Sequence, residues 1–381
     1  MHAARDRGRD GHRIDAAFER LGSDHDPRRG ALGHAGMIWR SLNVVRSVHL
    51  NSNEVTLSTS PDAACTARVP TQIAPEWSAI AKRRAPSSVF LTPEWIAVAR
   101  AHDRGEQITV AAGDPPWAVA ALARDADGTV RLAGGELTDE HDVVAAPQDA
   151  RAAASAVARW IAADAPRRVL VDYVPEDSPT PVTFDEELAA CGYAVRRERL
   201  VTSPRMALPG AYDAYVQGLG KKERHELRRK LRRFEGARGT GFHWAEDGER
   251  ARILDRFFAL HRLSKGEKAA FMTNETEAFF RDIADALAPL GWLRLGVVRA
   301  HDQDAAVLFA FAYGDTLALY NAAYDPALAS LSLGIASHAF AVRDAIAQGF
   351  KVYDLLRGDE PYKYDLGAQD RWLVRVEATR Q

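Results

Sequence analysis

Hydrophobic and polar positions alternate in two ways along residues 92–376 of the chain. Apolar residues three or four positions apart predict amphipathic helices, whereas short apolar runs bounded by Gly, Asp or Asn predict strands. Between residues 92 and 208 these patterns follow the order helix, three strands, helix, strand, helix, strand. Thr92 and Pro93 mark the first helix, because a Thr side chain accepts free N–H groups at a helix start and Pro fits the first turn.

Residues 212–376 repeat this organisation with stronger contrast. Helical spacing comes first, and a meander of three apolar segments follows, separated by short turns that predict antiparallel strands. The predicted elements are helices at residues 220–235, 253–261 and 279–287, strands at 292–299, 306–313 and 316–324, a helix at 333–348, a strand at 351–355, and a strand at 372–376 that closes this sheet.

Two copies of one α/β unit explain 381 residues better than one large sheet, since a domain holds about 100 to 200 residues. The predicted divisions are an N-terminal extension at residues 1–75, a first half at 76–208 and a second half at 209–381. Residues 1–36 are polar and show neither period, so we expect them to be disordered or to precede a start at Met37. Four of the twelve histidines lie there, and a metal-binding tail is the alternative for this segment.

The composition indicates a globular protein, with 46% hydrophobic and 27% charged residues. The net charge of −2 gives no global field that attracts nucleic acid or anionic lipid, so any such contact must be local. The longest apolar run, residues 305–313, is too short to span a bilayer. Cys65 and Cys191 are too few for a disulfide framework, and no signal-peptide pattern is present, so we expect a cytoplasmic protein.

The strongest local pattern for chemistry lies between residues 318 and 336, where a strand leads through a loop into a helix. Free backbone N–H groups at a helix start bind anionic oxygens, and Gly334 in the first turn leaves room for a phosphate. Alternatively, Ser330 or Ser332 only caps the helix and Gly334 only serves packing, and spacing does not choose between the two interpretations. The residues predicted to bind a cofactor are Asn321, Ser330, Ser332, Leu333, Gly334, Ile335 and Ala336.

Several features together resemble the CelD/BcsL-like acyltransferase domain of the GNAT superfamily, which is close to the FemAB peptidyltransferases. They are a basic amphipathic helix, a Phe-Phe-Ala-Leu-His helix, a three-strand meander, a Ser-Leu-Gly helix start and the string Gly-Asp-Glu-Pro-Tyr-Lys-Tyr at residues 358–364. The resemblance covers residues 212–367 well and is only architectural for residues 92–208. It implies an α/β tandem of GNAT-like mixed sheets flanked by helices, with two halves packed across a cleft.

The resemblance also implies direct acyl transfer from acetyl-CoA or another acyl-CoA to an amine or a hydroxyl. Backbone donors polarise the thioester carbonyl, a carboxylate takes the proton of the acceptor, and a Tyr or similar acid meets the leaving thiolate. Gly334 and Ala336 match the pyrophosphate-loop pattern of the family, but Leu331 stands where Arg or Gln is expected, which keeps an aminoacyl-tRNA donor open. The residues expected to carry the chemistry are Tyr320, Asp359, Glu360, Tyr362 and Lys363.

A local positive surface is predicted on the helix at residues 220–235. Residues 221–233 include eight basic and two acidic residues around an apolar stripe of Leu227, Leu231 and Phe234. The helix is either a solvated amphipathic helix, a contact for CoA phosphates, or a landing surface for tRNA or another polyanion. A catalytically silent GNAT-like module that binds a polyanion is therefore the alternative to an enzyme. For an enzyme, the expected acceptor is a small molecule or a cell-envelope precursor.

Two histidines lie near these patterns. His261 is on the apolar face of its helix and is interpreted as a core residue rather than a base. For His338, one turn past Gly334, the pattern favours neither a packing role nor a functional role. No pair of carboxylates or histidines has the spacing of a metal site, so no metal is expected. The chain also shows no persuasive Ser–His–Asp or Cys–His arrangement, which agrees with transfer without a covalent enzyme intermediate.

Overall fold

The computed structural model describes residues 65–68 and 72–381 of the chain. The predictions for residues 1–36 lie outside the described residues. The described chain forms two mixed sheets flanked by helices, and the predicted α/β fold class is confirmed. None of the helices in this part of the chain is long and apolar enough to cross a membrane.

The first half contains every element predicted between residues 92 and 201. Thr92 caps its helix as expected, since its Oγ1 accepts the backbone N–H of Trp95 at 3.2 Å. The elements are β1 (Cys65–Ala67), α1 (Ala74–Arg83), α2 (Pro93–Ala101), β2 (Glu106–Ala112), β3 (Ala118–Arg124), β4 (Val130–Leu132), β5 (Val144–Ala145), α3 (Ala150–Ala163), β6 (Arg168–Pro175), α4 (Thr180–Ala190) and β7 (Tyr193–Thr202).

The second half contains the predicted helices and the meander, together with short elements that the sequence pattern did not indicate. These additional elements are β8, α5, β9, α8 and α11. In order, the elements are β8 (Arg205–Ala207), α5 (Tyr212–Gly218), α6 (Lys221–Glu235), β9 (Gly241–Trp244), α7 (Arg250–Arg262), α8 (Glu267–Phe271), α9 (Asn274–Leu287), β10 (Leu293–Ala300), β11 (Gln303–Tyr313), β12 (Thr316–Tyr324), α10 (Leu333–Ala347), β13 (Val352–Asp354), α11 (Pro361–Asp365) and β14 (Trp372–Arg380).

The first sheet has the order β1-β2-β3-β4-β6-β14-β7, with β5 paired to β3. β14 lies between β6 and β7 and is antiparallel to both. The prediction that residues 372–376 close the second sheet is therefore wrong. β14 is held by ladders on both sides and by a bidentate salt bridge, in which the Arg375 guanidinium donates to both carboxylate oxygens of Asp172 at 2.6 and 2.7 Å.

The second sheet has the order β8-β13-β12-β11-β10-β9. Its neighbouring strands are antiparallel except for β12 and β13, which are parallel. β8 precedes the predicted division at residue 208 but joins this sheet, so each half contributes one strand to the sheet of the other. The boundaries 76–208 and 209–381 stay a prediction.

The two halves share one aromatic core. The Trp95 ring of α2 contacts the rings of Phe311 and Tyr320 of the second half edge to face, at centroid distances of 5.3 and 5.5 Å. Beside this core, Glu140 is paired with Arg84 at 3.0 Å and with Arg371 at 2.6 Å, and all three side chains are at most a tenth exposed. Because a buried charge is costly without its partner, these pairs and the shared core fix the joint between the halves.

Candidate active site

The second sheet opens beyond a short parallel pairing. β12 and β13 pair only through Thr316–Ala318 on β12 and Val352–Asp354 on β13. β12 then continues to Tyr324, whereas the chain turns away after Asp354. We call the gap between residues 319–324 and residues 355–360 the wedge. No strand of the described chain pairs with β12 across the wedge, and the backbone N–H of Ala322 donates to the Oδ1 of Asn321 at 2.8 Å.

A β-bulge lies where the wedge begins. β11 pairs Ala310 with Leu319 and Phe309 with Asn321, so Tyr320 is the extra residue of the bulge. The Tyr320 ring packs into the shared aromatic core, and burial raises the pKa of its hydroxyl well above the usual value. The predicted catalytic residue Tyr320 therefore lies at the joint between the halves.

The start of α10 forms one end of the wedge. A 3-10 helix, Pro326–Leu331, precedes it, and Ser332 links the two helices with a left-handed φ of 56°. The Ser332 side chain makes no capping hydrogen bond, so the cap that the alternative interpretation gave to Ser332 is absent. Since first-turn N–H groups have no acceptor inside a helix, those of Leu333, Gly334 and Ile335 are available to an anion.

Gly334 faces open space. A Cβ atom placed on it would meet no atom within 4 Å, and its φ lies outside the left-handed region. Neither backbone strain nor packing in the described chain therefore requires glycine at this position. The space above the first turn of α10 has the character expected of a phosphate cradle, in which the absent side chain leaves room for the ligand.

His338 lines the wedge one turn further along α10. Its Nδ1 lies 3.1 Å from the hydroxyl of Tyr353, and its ring stacks on that of Tyr362 at a centroid distance of 5.0 Å. Burial lowers the pKa of His338 to about 3, and the charges of Lys363 and Lys268 act in the same direction. His338 is therefore a neutral, buried imidazole that stacks on the half-buried ring of Tyr362.

Lys363 holds the loop that follows β13. Its side chain is only 2% exposed, and its Nζ donates to the carbonyl oxygens of Leu356, Arg357 and Gly358 at 3.0, 2.8 and 3.1 Å. Glu360 is paired with the same Nζ at 3.0 Å but is half exposed. This geometry favours a positioning role for Lys363, and its predicted contact with a ligand stays a prediction.

The opposite side of the wedge carries two residues that the sequence analysis did not select for chemistry. His261 on α7 is 1% exposed, and its Nδ1 has no hydrogen-bond partner in the described chain. Lys268 on α8 places its Nζ 5.2 Å from the ring centre of Tyr324. The only sequence signal for Lys268 is the rarity of lysine, since spacing did not distinguish it from a surface residue.

The basic helix α6 lies against α10 and the preceding 3-10 helix. Phe234 packs on Phe340, with ring centroids 5.6 Å apart, and Leu331 packs against the same apolar cluster. Leu331 therefore provides packing at the position where the resembled family has a polar donor. Arg233 of α6 donates from Nη1 to the carbonyl oxygen of Ser330 at 3.2 Å, which brings a guanidinium beside the loop.

The structure thus brings the predicted residues to three places. The predicted cofactor residues from Ser330 to Ala336 lie together at the start of α10, and Asn321 lies on β12 across the wedge from residues 355–360. Asp359, Glu360, Tyr362 and Lys363 lie together in the loop and helix after β13. Within the described ranges, no three His, Cys, Asp or Glu side chains come together as a metal site would require.

Residues 221–364 match the family model described as an acetyltransferase (GNAT) domain. Among solved structures, FemX is similar with a TM-score of 0.60 and 13% identity, over 82% of this chain and 96% of FemX. A conserved protein of unknown function from Bacteroides thetaiotaomicron gives 0.54 at 11% identity, over 83% and 99%. L-PGS from Bacillus licheniformis gives 0.51 at 11%, over 76% and 91%. No curated protein sequence matches the chain.

The match over residues 221–364 supports an acyltransferase of the GNAT type. Residues 221–364 are similar to a GNAT acetyltransferase domain, and the described chain shares with FemX the arrangement of two mixed sheets flanked by helices. The predicted resemblance to a GNAT/FemAB-like domain, the tandem fold and the acyltransferase class are confirmed. At identities of 11 to 13%, the solved structures carry the fold alone.

Proposed function

We propose that the chain is an acyl-CoA-dependent N-acyltransferase, most simply an acetyltransferase, that moves an acyl group from a CoA thioester to an amine or a hydroxyl. The observation that carries the proposal is the start of α10, where an uncapped first turn and an open Gly334 lie at the end of the wedge. A pyrophosphate fits such a first turn because its N–H groups and its dipole favour anionic oxygens.

The residues of the wedge fit an extended thioester donor. In the proposal, Leu333, Gly334 and Ile335 bind the pyrophosphate through backbone N–H groups, and Ser330 and Ser332 line the loop beside them. The unpaired edge of β12 at residues 319–324 offers backbone hydrogen bonds to the arm of the donor, next to Asn321. When bound, CoA supplies the thioester whose carbonyl carbon is attacked.

The loop after β13 supplies the proton transfers in this proposal. Glu360 and Asp359 are exposed carboxylates at the rim of the wedge, where one of them can take the proton of the acceptor. Tyr362 is the acid for the leaving thiolate, because it lines the wedge and burial keeps its hydroxyl protonated by raising its pKa. Lys363 positions the loop by holding three of its carbonyl groups.

A FemAB-type transferase that uses aminoacyl-tRNA is the second candidate, and α6 is the observation that favours it. Lys221, Lys222, Arg228 and Arg232 are exposed on this helix, which lies beside the proposed donor loop. The similar structure FemX adds support through the shared fold alone. In this candidate α6 contacts the phosphates of the RNA, and the same surface serves a silent polyanion-binding module if the wedge is inactive.

Titration calorimetry with purified full-length protein separates these candidates. We expect acetyl-CoA or a longer acyl-CoA to bind with micromolar affinity and free CoA to compete for the same site. Absence of heat with every CoA ester, together with salt-sensitive binding of tRNA that weakens when Lys221 and Arg228 are both changed to Glu, would favour the second candidate.

The acceptor and the compartment also belong to the proposal. A small molecule or a cell-envelope precursor is the proposed acceptor, and the cytoplasm is the proposed site of action. Cys65 and Cys191 are both free, which supports a reducing compartment. Thiol release from acetyl-CoA in the presence of candidate amines is the assay that identifies the acceptor.

A further inference from the structure

A short segment of the first half contacts both sides of the wedge. It comprises residues 136–139, between β4 and β5, and we call it the brace. The carbonyl oxygen of Leu137 accepts a hydrogen bond from the hydroxyl of Tyr320 at 2.6 Å, on the β12 side. The preceding carbonyl oxygen, that of Glu136, accepts one from Nη2 of Arg357 on the opposite side. Because consecutive Cα atoms lie about 3.8 Å apart, these neighbouring acceptors limit how far the two sides can separate.

Asp139 adds a charged contact to the side that carries Arg357. Its Oδ1 accepts hydrogen bonds from Nε and Nη2 of Arg357 at 2.9 and 2.8 Å, and both side chains are less than a fifth exposed. A charge-assisted pair of this kind is stronger than a neutral hydrogen bond. The carbonyl oxygen of Arg357 also accepts a hydrogen bond from Lys363 at 2.8 Å. Arg357 is therefore held at its side chain by the first half and at its backbone by the second.

The brace is itself fixed to the first half. The Thr138 side chain is fully buried, and its Oγ1 donates to the carbonyl oxygen of Gly134 at 2.8 Å and accepts from Nε1 of Trp95 at 3.0 Å. A Cβ atom placed on Gly134 would lie 2.5 Å from that Oγ1, so the turn before the brace is closely packed. The first half thus presents the brace to the wedge as a well-anchored segment.

Left-handed backbone surrounds the contact of Arg357. Leu356, directly before it, has a φ of 57°. Tyr173 of the first half has a φ of 56°, and its ring centre lies 4.2 Å from the Cζ of Arg357. This conformation is uncommon for bulky residues and persists where the surrounding contacts enforce it, as they do at sites that require defined positions.

We propose that the brace sets the width of the wedge and that Asp139 acts through Arg357 as a positioning residue for the transfer reaction. This inference rests on the proposed acyltransferase function and gives the first half a role in it. Residues 355–360 belong to no helix or strand, and they carry the two carboxylates proposed to take the proton of the acceptor. The β12 side depends less on the brace, because the Tyr320 ring also packs in the shared aromatic core.

Kinetics and calorimetry test the positioning role. Thiol release from acetyl-CoA with an accepted amine is measured in wild type, Asp139→Asn, Arg357→Gln and the double variant. We expect kcat to fall about 10- to 100-fold in Asp139→Asn, since a displacement of about 1 Å near reacting groups has such an effect. Affinity for acetyl-CoA should stay within about threefold of wild type, because the donor is held at α10. The double variant should lose no more than Arg357→Gln, as expected of two residues that act as a pair.

Glu187→Gln is the matched control. It removes the charge from a pair with Arg159, at 2.8 and 3.0 Å, that joins α3 to α4 outside the wedge. We expect this variant to keep the kcat of wild type. Wild-type kcat in Asp139→Asn would overturn the positioning role, and an impaired Arg357→Gln beside it would show that Arg357 contacts a ligand directly.

A distance measurement tests the width of the wedge without any turnover. Nitroxide labels are placed on its two sides by Tyr324→Cys and Asp359→Cys, both at exposed positions, after the two native cysteines have been changed to serine. Pulsed electron paramagnetic resonance should give a narrow distance distribution that becomes broader in Asp139→Asn and stays unchanged in Glu187→Gln. An unchanged distribution in Asp139→Asn overturns the brace. Failure to bind acetyl-CoA overturns the proposed function instead, because the label distance does not depend on the donor.

Discussion

The hydroxyl of Tyr320 donates a hydrogen bond to the carbonyl oxygen of Leu137 at 2.6 Å, across 183 positions of sequence. Tyr320 is the bulge residue of β12, and Leu137 lies in the loop of the first half that also carries Glu140. The bulge at the start of the wedge is thus joined to the first half by this hydrogen bond and by the ring contact between Tyr320 and Trp95. We therefore expect a movement between the halves to change the backbone of β12 beside the wedge.

The variant Tyr320→Phe separates a structural role from a catalytic one. It leaves the Leu137 carbonyl without its donor, so we expect the free energy of unfolding to fall by about 1 to 3 kcal/mol. If Tyr320 only ties the halves, kcat falls less than about threefold. A loss of a hundredfold or more in kcat at unchanged affinity for the donor would instead show that this hydroxyl is the catalytic acid. Urea unfolding and steady-state kinetics give both numbers.

Gly334→Val tests the proposed phosphate cradle. The added side chain would enter the open space above the first turn of α10, where no protein atom lies within 4 Å, so the fold should tolerate it. We expect binding of acetyl-CoA to be lost by calorimetry, with a melting temperature close to that of wild type. Gly248→Val is the matched control, because Gly248 is equally open and lies outside the wedge. Unchanged CoA affinity in Gly334→Val would disprove the pyrophosphate assignment.

Lys363→Ala should reduce both stability and turnover. It removes the donor that three buried or half-buried carbonyl groups share, and such groups cost about 1 to 3 kcal/mol each when they lose their partner. We therefore expect a clear drop in the free energy of unfolding, together with a fall in kcat as the loop loses its position. Lys351→Ala, an exposed position before β13, should be silent. A catalytically impaired Lys363→Ala with wild-type stability would point to direct ligand contact.

Asp354 makes stability depend on pH. Burial raises the pKa of this carboxyl from 3.8 to about 6, so the folded state binds its proton more tightly than the unfolded state. The contribution to stability is complete below pH 4 and is lost as the pH rises through 6, by about 3 kcal/mol in total. Asp354→Asn keeps an oxygen for the backbone N–H of Leu356 but cannot ionise.

The measurement is urea unfolding of wild type and Asp354→Asn at pH 4.5 and pH 7.5. We expect Asp354→Asn to gain stability relative to wild type at the higher pH. The exposed Asp285→Asn is the control and should follow wild type at both values. A constant difference between wild type and Asp354→Asn across this range would show that Asp354 titrates normally.

Local patterns were sufficient for most elements of the fold, because each depended on nearby residues. Thr92 and Pro93 predicted the start of α2, and the turns of the meander separated β10, β11 and β12. The place of β14 was not predictable in this way. Its alternating pattern fits any sheet with a vacant neighbour, and only the long-range pairing with β6 and β7 selects the first sheet.

The candidate site shows the same difference between residues that a local pattern can predict and residues that only the folded chain brings together. The segment from Ser330 to Ala336 is continuous, so a motif can describe it, and the structure gathers it at one helix start. Lys268 lies on a short helix, and His261 lies on the apolar face of another helix. Only the folded chain marks them as candidate residues, because it brings Asn321 and Tyr324 of β12 close to them. Such a cluster has no spacing of its own in the sequence.

The position of β14 has a consequence for how the protein is made. β7 joins its sheet only through β14, and Arg375 of β14 pairs with Asp172 across 203 positions of sequence. On the ribosome, β6 and β7 are therefore synthesised long before the strand that lies between them, and their unpaired edges are exposed while the GNAT domain is still being translated. The sheet of the first half is complete only after β14 has been synthesised. We therefore expect chaperone binding during synthesis to concentrate on β6 and β7.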